Sequence, residues 1–150
     1  MDFPDIRSLL PHTGRMVLLD RVIAADADNL CAQVTIRRDS VLFDGSGVGA
    51  WVGIEYMAQT IGAYAGYLAR SRGKPVRIGF LLGTRRYESS RPSFPLGTML
   101  KVHARHVVEN ENGLASFDCR IDDADETIVR ASLTVFQAED ETAMTGRLSE

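Results

Sequence analysis

The sequence predicts an α+β fold in which one long buried helix is covered by a largely antiparallel sheet. Three observations predict it. Residues 50–69, AWVGIEYMAQTIGAYAGYLA, hold a single charge, Glu55, in twenty positions. Strand-like segments lie on both sides of this stretch, with turn signals at Asn110–Gly113 and Asp122–Asp125. The chain has 150 residues, 45% hydrophobic and 25% charged, which is enough to bury one core and excludes wholesale disorder. That size points to one domain over 1–150, with 139–150 an unpatterned, frayed tail.

Each element has its own signal. A short helix precedes the loop Leu9-Leu10-Pro11-His12-Thr13-Gly14-Arg15. Residues 16–24 (MVLLDRVIA) and 30–38 (LCAQVTIRR) read as strands around the turn Ala27-Asp28-Asn29. The apolar stretch 50–69 is long enough to span a bilayer. Glu55, Gln59 and three glycines inside it, and the lack of a second span, favour a helix buried on most sides. Gly62 and Gly66 read as packing glycines. Arg70, Arg72, Gly73 and Lys74 then form a helix stop, and Pro75 prevents continuation. Four strands follow, over 77–88, 98–109, 114–122 and 127–138, separated by a Ser/Pro-rich loop and two hairpins.

Composition narrows the chemistry. A net charge of −3 argues against a nucleic-acid binder. Two cysteines, Cys31 and Cys119, exclude a disulfide scaffold and a Cys-rich zinc site, and neither has a neighbouring His or a CxxC partner in sequence. The first residues carry acid and no apolar core, so no signal peptide is expected, and a reduced, cytoplasmic protein is. His103 and His106, three apart on a strand, point to opposite faces and read as structural. Ser46, in Gly45-Ser46-Gly47, lacks the GxSxG context of a nucleophile elbow. No metal and no cofactor is expected.

Two residues remain for chemistry. Glu55 in a buried helix is costly unless paired or neutral, and a carboxyl kept neutral suits a general acid. Gln59, one turn later on the same face, could bond it or a ligand. The plainer reading is that Glu55 faces water at the first helical turn, where the dipole favours an acid. His12, held in its loop by Pro11 and Gly14, suits a base, against the commoner alternative of a surface histidine.

Leu9 to Val22, LLPHTGRMVLLDRV, resembles the opening of the hot-dog-fold 3-hydroxyacyl-acyl-carrier-protein dehydratases of fatty-acid synthesis, through Leu10-Pro11-His12 and Asp20-Arg21. Glu55-Tyr56-Met57-Ala58-Gln59 resembles that family's Glu-Ala-Met-Ala-Gln helix start, and Gly79–Gly97 its following strand and Pro-Gly turn. Residues 43–50 lack the family's prolines. In this the chain looks like a divergent branch, similar to the dehydratases of aryl-polyene pigment clusters.

The resemblance implies a hot-dog fold and a homodimer or heterodimer with sites between subunits, the His of one subunit working with the Glu of the other. His12 would remove the C2 proton of a 3-hydroxyacyl thioester, and Glu55, supported by Gln59, would protonate the departing hydroxyl. N–H groups near Gly49 and Ala50, or that of Gly83, would stabilise the thioester oxygen. Ile54, Met57 and Ile61 would line an acyl tunnel. An acidic acyl carrier protein would dock on Arg70, Arg72, Lys74 and Arg77 or on Arg85, Arg86 and Arg91. A hot-dog thioesterase and a non-catalytic subunit of a hot-dog heterodimer are the alternatives.

Overall fold

The computed structural model describes residues 3–11, 14–74 and 79–137. The tail at 139–150, His12 and Arg77 lie outside them.

Helix α1 (Ile6–Leu9) starts where the Asp5 carboxylate accepts the Arg7 N–H at 3.0 Å. Strands β1 (Arg21–Ala25) and β2 (Asn29–Thr35) form a hairpin. The first is shorter than its apolar sequence predicts. Apolar character alone does not make a ladder: the backbone at Met16 and Leu18 bonds to a glutamine side chain instead of a strand, and Met16 closes a 3₁₀ turn from Gly14.

Helix α2 (Gly53–Ser71) is preceded by a 3₁₀ turn, Ala50–Val52. It ends as predicted. Gly73 takes a φ of +69°, Lys74 N–H reaches the Ala69 carbonyl at 2.8 Å and Gly73 N–H the Arg70 carbonyl at 3.1 Å, which is a Schellman cap.

Strands β4 (Gly79–Ser89), β6 (Met99–Glu109), β7 (Leu114–Asp123) and β8 (Glu126–Gln137) are the four predicted after the helix. They join β1 and β2 in one antiparallel sheet of order β1-β2-β6-β7-β8-β4. The Asn110 side chain closes the β6–β7 turn by accepting the N–H groups of Asn112 and Leu114. Two three-residue strands, β3 (Gly47–Gly49) and β5 (Ser93–Pro95), pair with each other. Segments this short, rich in Gly and Pro, carry no periodicity, so only their pairing across the fold defines them.

Alternation along the strands sorts the sheet into two faces. Leu100, Val102 and Ala104 of β6, with Phe117, Cys119 and Ile121 of β7, face inward and join Met57, Ile61, Ala63 and Tyr64 of α2 in one core. One helix clasped by a sheet is the hot-dog arrangement. Among the described residues no helix is long and apolar enough to cross a membrane.

Candidate active site

The N-terminal segment is laid along α2 in the direction opposite to the helix. Phe3 meets the Tyr67 ring edge-on at 6.3 Å, Leu9 sits on Gly66 and Leu10 on Gly62. A Cβ at Gly66 would collide with the Leu9 carbonyl, so the close approach needs glycine there. After the turn at Gly14–Met16, Gln59 takes hold of the chain: its Oε1 accepts the Leu18 N–H at 2.9 Å and its Nε2 donates to the Met16 carbonyl. Gln59 is 5% exposed. Both flanks of the histidine loop are therefore fastened to one face of α2. The sequence reading gave Gln59 to Glu55 or to a ligand. The structure corrects this, since the amide bonds the loop backbone.

Glu55 lies in the first turn of α2, exposed, and its carboxylate has no hydrogen-bond or ion-pair partner among the described residues. Within one chain this is the plainer of the two readings, a carboxylate facing water at the first turn, because 55 falls on the helix face the sheet leaves open. The neighbours on that face are apolar: Trp51, one turn earlier, is 63% exposed, and Met16, held by Gln59 one turn later, is 64% exposed. The exposed Glu55 carboxylate is thus framed by exposed apolar side chains, a surface of the kind that partners cover.

The turn before α2 differs from its expected role. Ala50 N–H already donates to the Pro92 carbonyl at 3.0 Å, so it is not free for a thioester oxygen. Gly49 lies under the Trp51 indole, where a Cβ would stand 2.5 Å from Nε1. Gly83, on edge strand β4, has open space over its Cα. The tunnel expectation also changes. Met57 and Ile61 are packed in the core at 0% and 3% exposure, leaving only Ile54 partly open.

Beside the fastened segment lies a cavity of about 560 Å³ lined by Arg15, Leu18, Asp20, Thr35, Arg37 and Tyr56. Asp20 orders its wall, accepting the Thr35 N–H at 2.8 Å and pairing with Arg37 at 2.9 Å. Burial, with the Asp20 charge behind it, pushes the Tyr56 hydroxyl up to about 12.

Two residues near the site escaped the sequence reading. Trp51 was legible as the chain's one tryptophan, four residues before Glu55. Tyr87 was not, because bulges in β4 decide which way it points. Its hydroxyl donates to the Ala50 carbonyl, and burial, then the nearby Tyr56, pushes it up to about 12.

The basic residues separate. Arg70, bonded to Ser8 Oγ at 3.0 Å, stands fifteen residues beyond Glu55 with Arg72 and Lys74 after it. At the rise of an α-helix that is about 22 Å along the axis. Arg85 and Arg86 are exposed on β4, and Arg91 pairs with Asp123 and Glu126.

The histidines read as structural behave so. His106 stacks on Tyr64 at 5.9 Å. His103, on the outer face, lies 3.7 Å from Cys31 Sγ, a neighbour that only the β2–β6 pairing supplies. Burial pushes the Cys31 thiol up to about 11, so it stays a thiol at neutral pH. Burial, helped by the Arg120 charge, holds His103 below the usual imidazole range despite Asp122 at 3.1 Å. The His103–Asp122 contact is therefore a hydrogen bond from a neutral ring.

The family model described as ApeP dehydratase, ApeP-like, matches residues 4–146. The chain belongs to the ApeP-like dehydratase family. It is 29% identical over 125 residues to the 3-hydroxyacyl-acyl-carrier-protein dehydratase FabZ of Bartonella quintana, covering 79% of this chain and 78% of that protein. The Bartonella henselae FabZ matches to the same extent. A chain of the ApeI:P dehydratase heterocomplex from Xenorhabdus doucetiae superposes with a TM-score of 0.88 at 30% identity, over 99% of this chain and 100% of that one. A hypothetical thioesterase protein with coenzyme A from Streptococcus pneumoniae TIGR4 has a TM-score of 0.61 at 13% identity, over 79% and 84% of the two chains, and shares the fold alone. As an ApeP-like chain, the protein has the hot-dog architecture of its relatives.

Proposed function

We propose that this chain dehydrates 3-hydroxyacyl thioesters carried on acyl carrier protein to trans-2-enoyl thioesters, in fatty-acid or polyene-type synthesis. It does so in the cytoplasm as one subunit of a hot-dog heterodimer. One observation carries the reading: in a chain of a dehydratase family, Glu55 has no partner among the described residues and stands in an apolar frame, on the helix that also fastens the flanks of the histidine loop.

His12 removes a proton from C2, and the negative charge passes to the thioester oxygen. Glu55 gives its proton to the 3-hydroxyl, which leaves as water while the C2–C3 double bond forms. His12 ends protonated and Glu55 ionised, and one proton passing between them through solvent restores both. A partner laid over the Trp51–Glu55 face excludes water from the reaction. The heterocomplex formed by the Xenorhabdus relatives supports a heterodimer here. Carrier docking falls to Arg85 and Arg86, because their strand reaches the start of α2 through Tyr87, whereas Arg70, Arg72 and Lys74 stand at the far end of the helix.

Intact mass of 3-hydroxyacyl carrier protein, incubated with the chain alone and with a co-expressed hot-dog partner, tests this. Loss of one water with the thioester retained is expected, falling about 10²–10⁴-fold in Glu55→Gln. Release of free acid and carrier thiol would make it a thioesterase. Undiminished water loss in the His12→Ala, Glu55→Ala double variant would make it a non-catalytic subunit or move the site.

A further inference from the structure

The pairing of β4 with β8 slips between Arg85 and Glu88: Arg85 faces Ser132 and Glu88 faces Arg130. Three steps on one strand thus match two on the other, which is a β-bulge. Arg86, inside it, has a φ of +55°, left-handed for a residue that is not glycine. The extra residue reverses the alternation and turns Tyr87 inward to the start of α2. There its hydroxyl donates to the Ala50 carbonyl, in the space Gly53 leaves by having no Cβ. Ala50 is consequently held at both polar ends, its N–H by Pro92 and its carbonyl by Tyr87. The 3₁₀ turn so fixed carries Trp51 and leads directly into the turn of α2 that carries Glu55.

We propose that Tyr87 is a positioning residue for the Glu55 site: its hydroxyl fixes the Ala50–Val52 turn, and through it the orientation of Trp51 and of the first turn of α2. The proposal rests on the reading of Glu55 as the proton donor. A strained bulge maintained where it aims one hydroxyl at the site helix is the observation behind it. A tyrosine that only filled space would need neither the donor nor a glycine opposite.

Tyr87→Phe removes the hydroxyl and keeps the ring. The chain has one tryptophan, Trp51, so the fluorescence of this chain alone reports on the turn. Acrylamide quenching of Trp51 is expected to rise and its anisotropy to fall in Tyr87→Phe. In the preparation that turns over, kcat is expected to fall about ten- to a hundredfold with KM within twofold. Gly53→Ala, which pushes the hydroxyl from its seat, is expected to reproduce both effects and to add little to Tyr87→Phe. Unchanged quenching with unchanged kcat overturns the proposal. So does a fall in activity that only tracks a loss of folded protein. Glu55→Gln is assayed alongside: full turnover there defeats the Glu55 reading, while the Trp51 signal still decides whether Tyr87 holds the turn.

Discussion

Gln59 shows how one buried side chain can stand in for a strand. Its amide replaces the strand partner that Met16 and Leu18 lack, and it fixes the exit of the histidine loop on α2. Gln59→Leu keeps the volume and leaves a part-buried N–H and carbonyl unpaired. A loss of about 1–3 kcal/mol in urea unfolding is expected, with a fall in turnover of about a hundredfold as the loop shifts. Normal turnover in a folded Gln59→Leu protein would mean that the loop is held by other contacts. Glu55 is the opposite case at this scale. The helix presents it without a partner among the described residues, so its environment depends on what covers it.

Among the elements, α2 carries most of the architecture through the residues it lacks. Gly66 admits the Leu9 backbone and Gly62 the Leu10 side chain. Alanine favours a helix interior by about 1 kcal/mol over glycine. At Gly66 that gain is lost, because the obstructing atoms are backbone, and Gly66→Ala is expected to destabilise by about 1–3 kcal/mol. At Gly62 a Cβ would stand 3.3 Å from the movable tip of Leu10, and Gly62→Ala is expected to be neutral or slightly stabilising. Equal urea midpoints for the two variants would contradict this difference. Among the described residues, β4 ends the sheet with its outer edge unpaired and with Leu82 59% exposed. An unpaired edge bearing apolar side chains is a natural seat for a second chain.

Taken as a whole molecule, the fold keeps protons that the unfolded chain would release. The native thiols of Cys31 and Cys119 are pushed to about 11 and about 12, from an ordinary 9.0, chiefly by burial. Tyr56 and Tyr87 are pushed to about 12 from 10.0 by the same cause. Above pH 9 for the thiols and above pH 10 for the tyrosines, the unfolded chain loses these protons first, so it binds fewer than the native state and stability falls as pH rises. Each group contributes about 1.4 kcal/mol per pH unit until its native value is reached. The urea midpoint is expected to hold from pH 7 to 8.5 and to drop steeply by pH 10.5, less steeply in Cys119→Ala. A midpoint that does not move would contradict the buried state of these groups.

What the sequence determined by itself was what its local patterns encode. The 50–69 stretch had to be a buried helix, the alternation of 98–109 had to make a half-buried strand, and Gly73 with Pro75 had to end the helix. These signals are short in range and repeat with the period of the element. The pair of motifs around His12 and Glu55 was legible because both lie in continuous stretches. Tertiary structure alone decided the rest: that Gln59 binds backbone, that Ala50 N–H is taken by Pro92, that His103 meets Cys31, and that Tyr87 reaches Ala50. Each depends on a contact between residues 37 to 72 positions apart or on the slip of one residue in a strand. No local period records such contacts, because they form only when separate elements pack against one another.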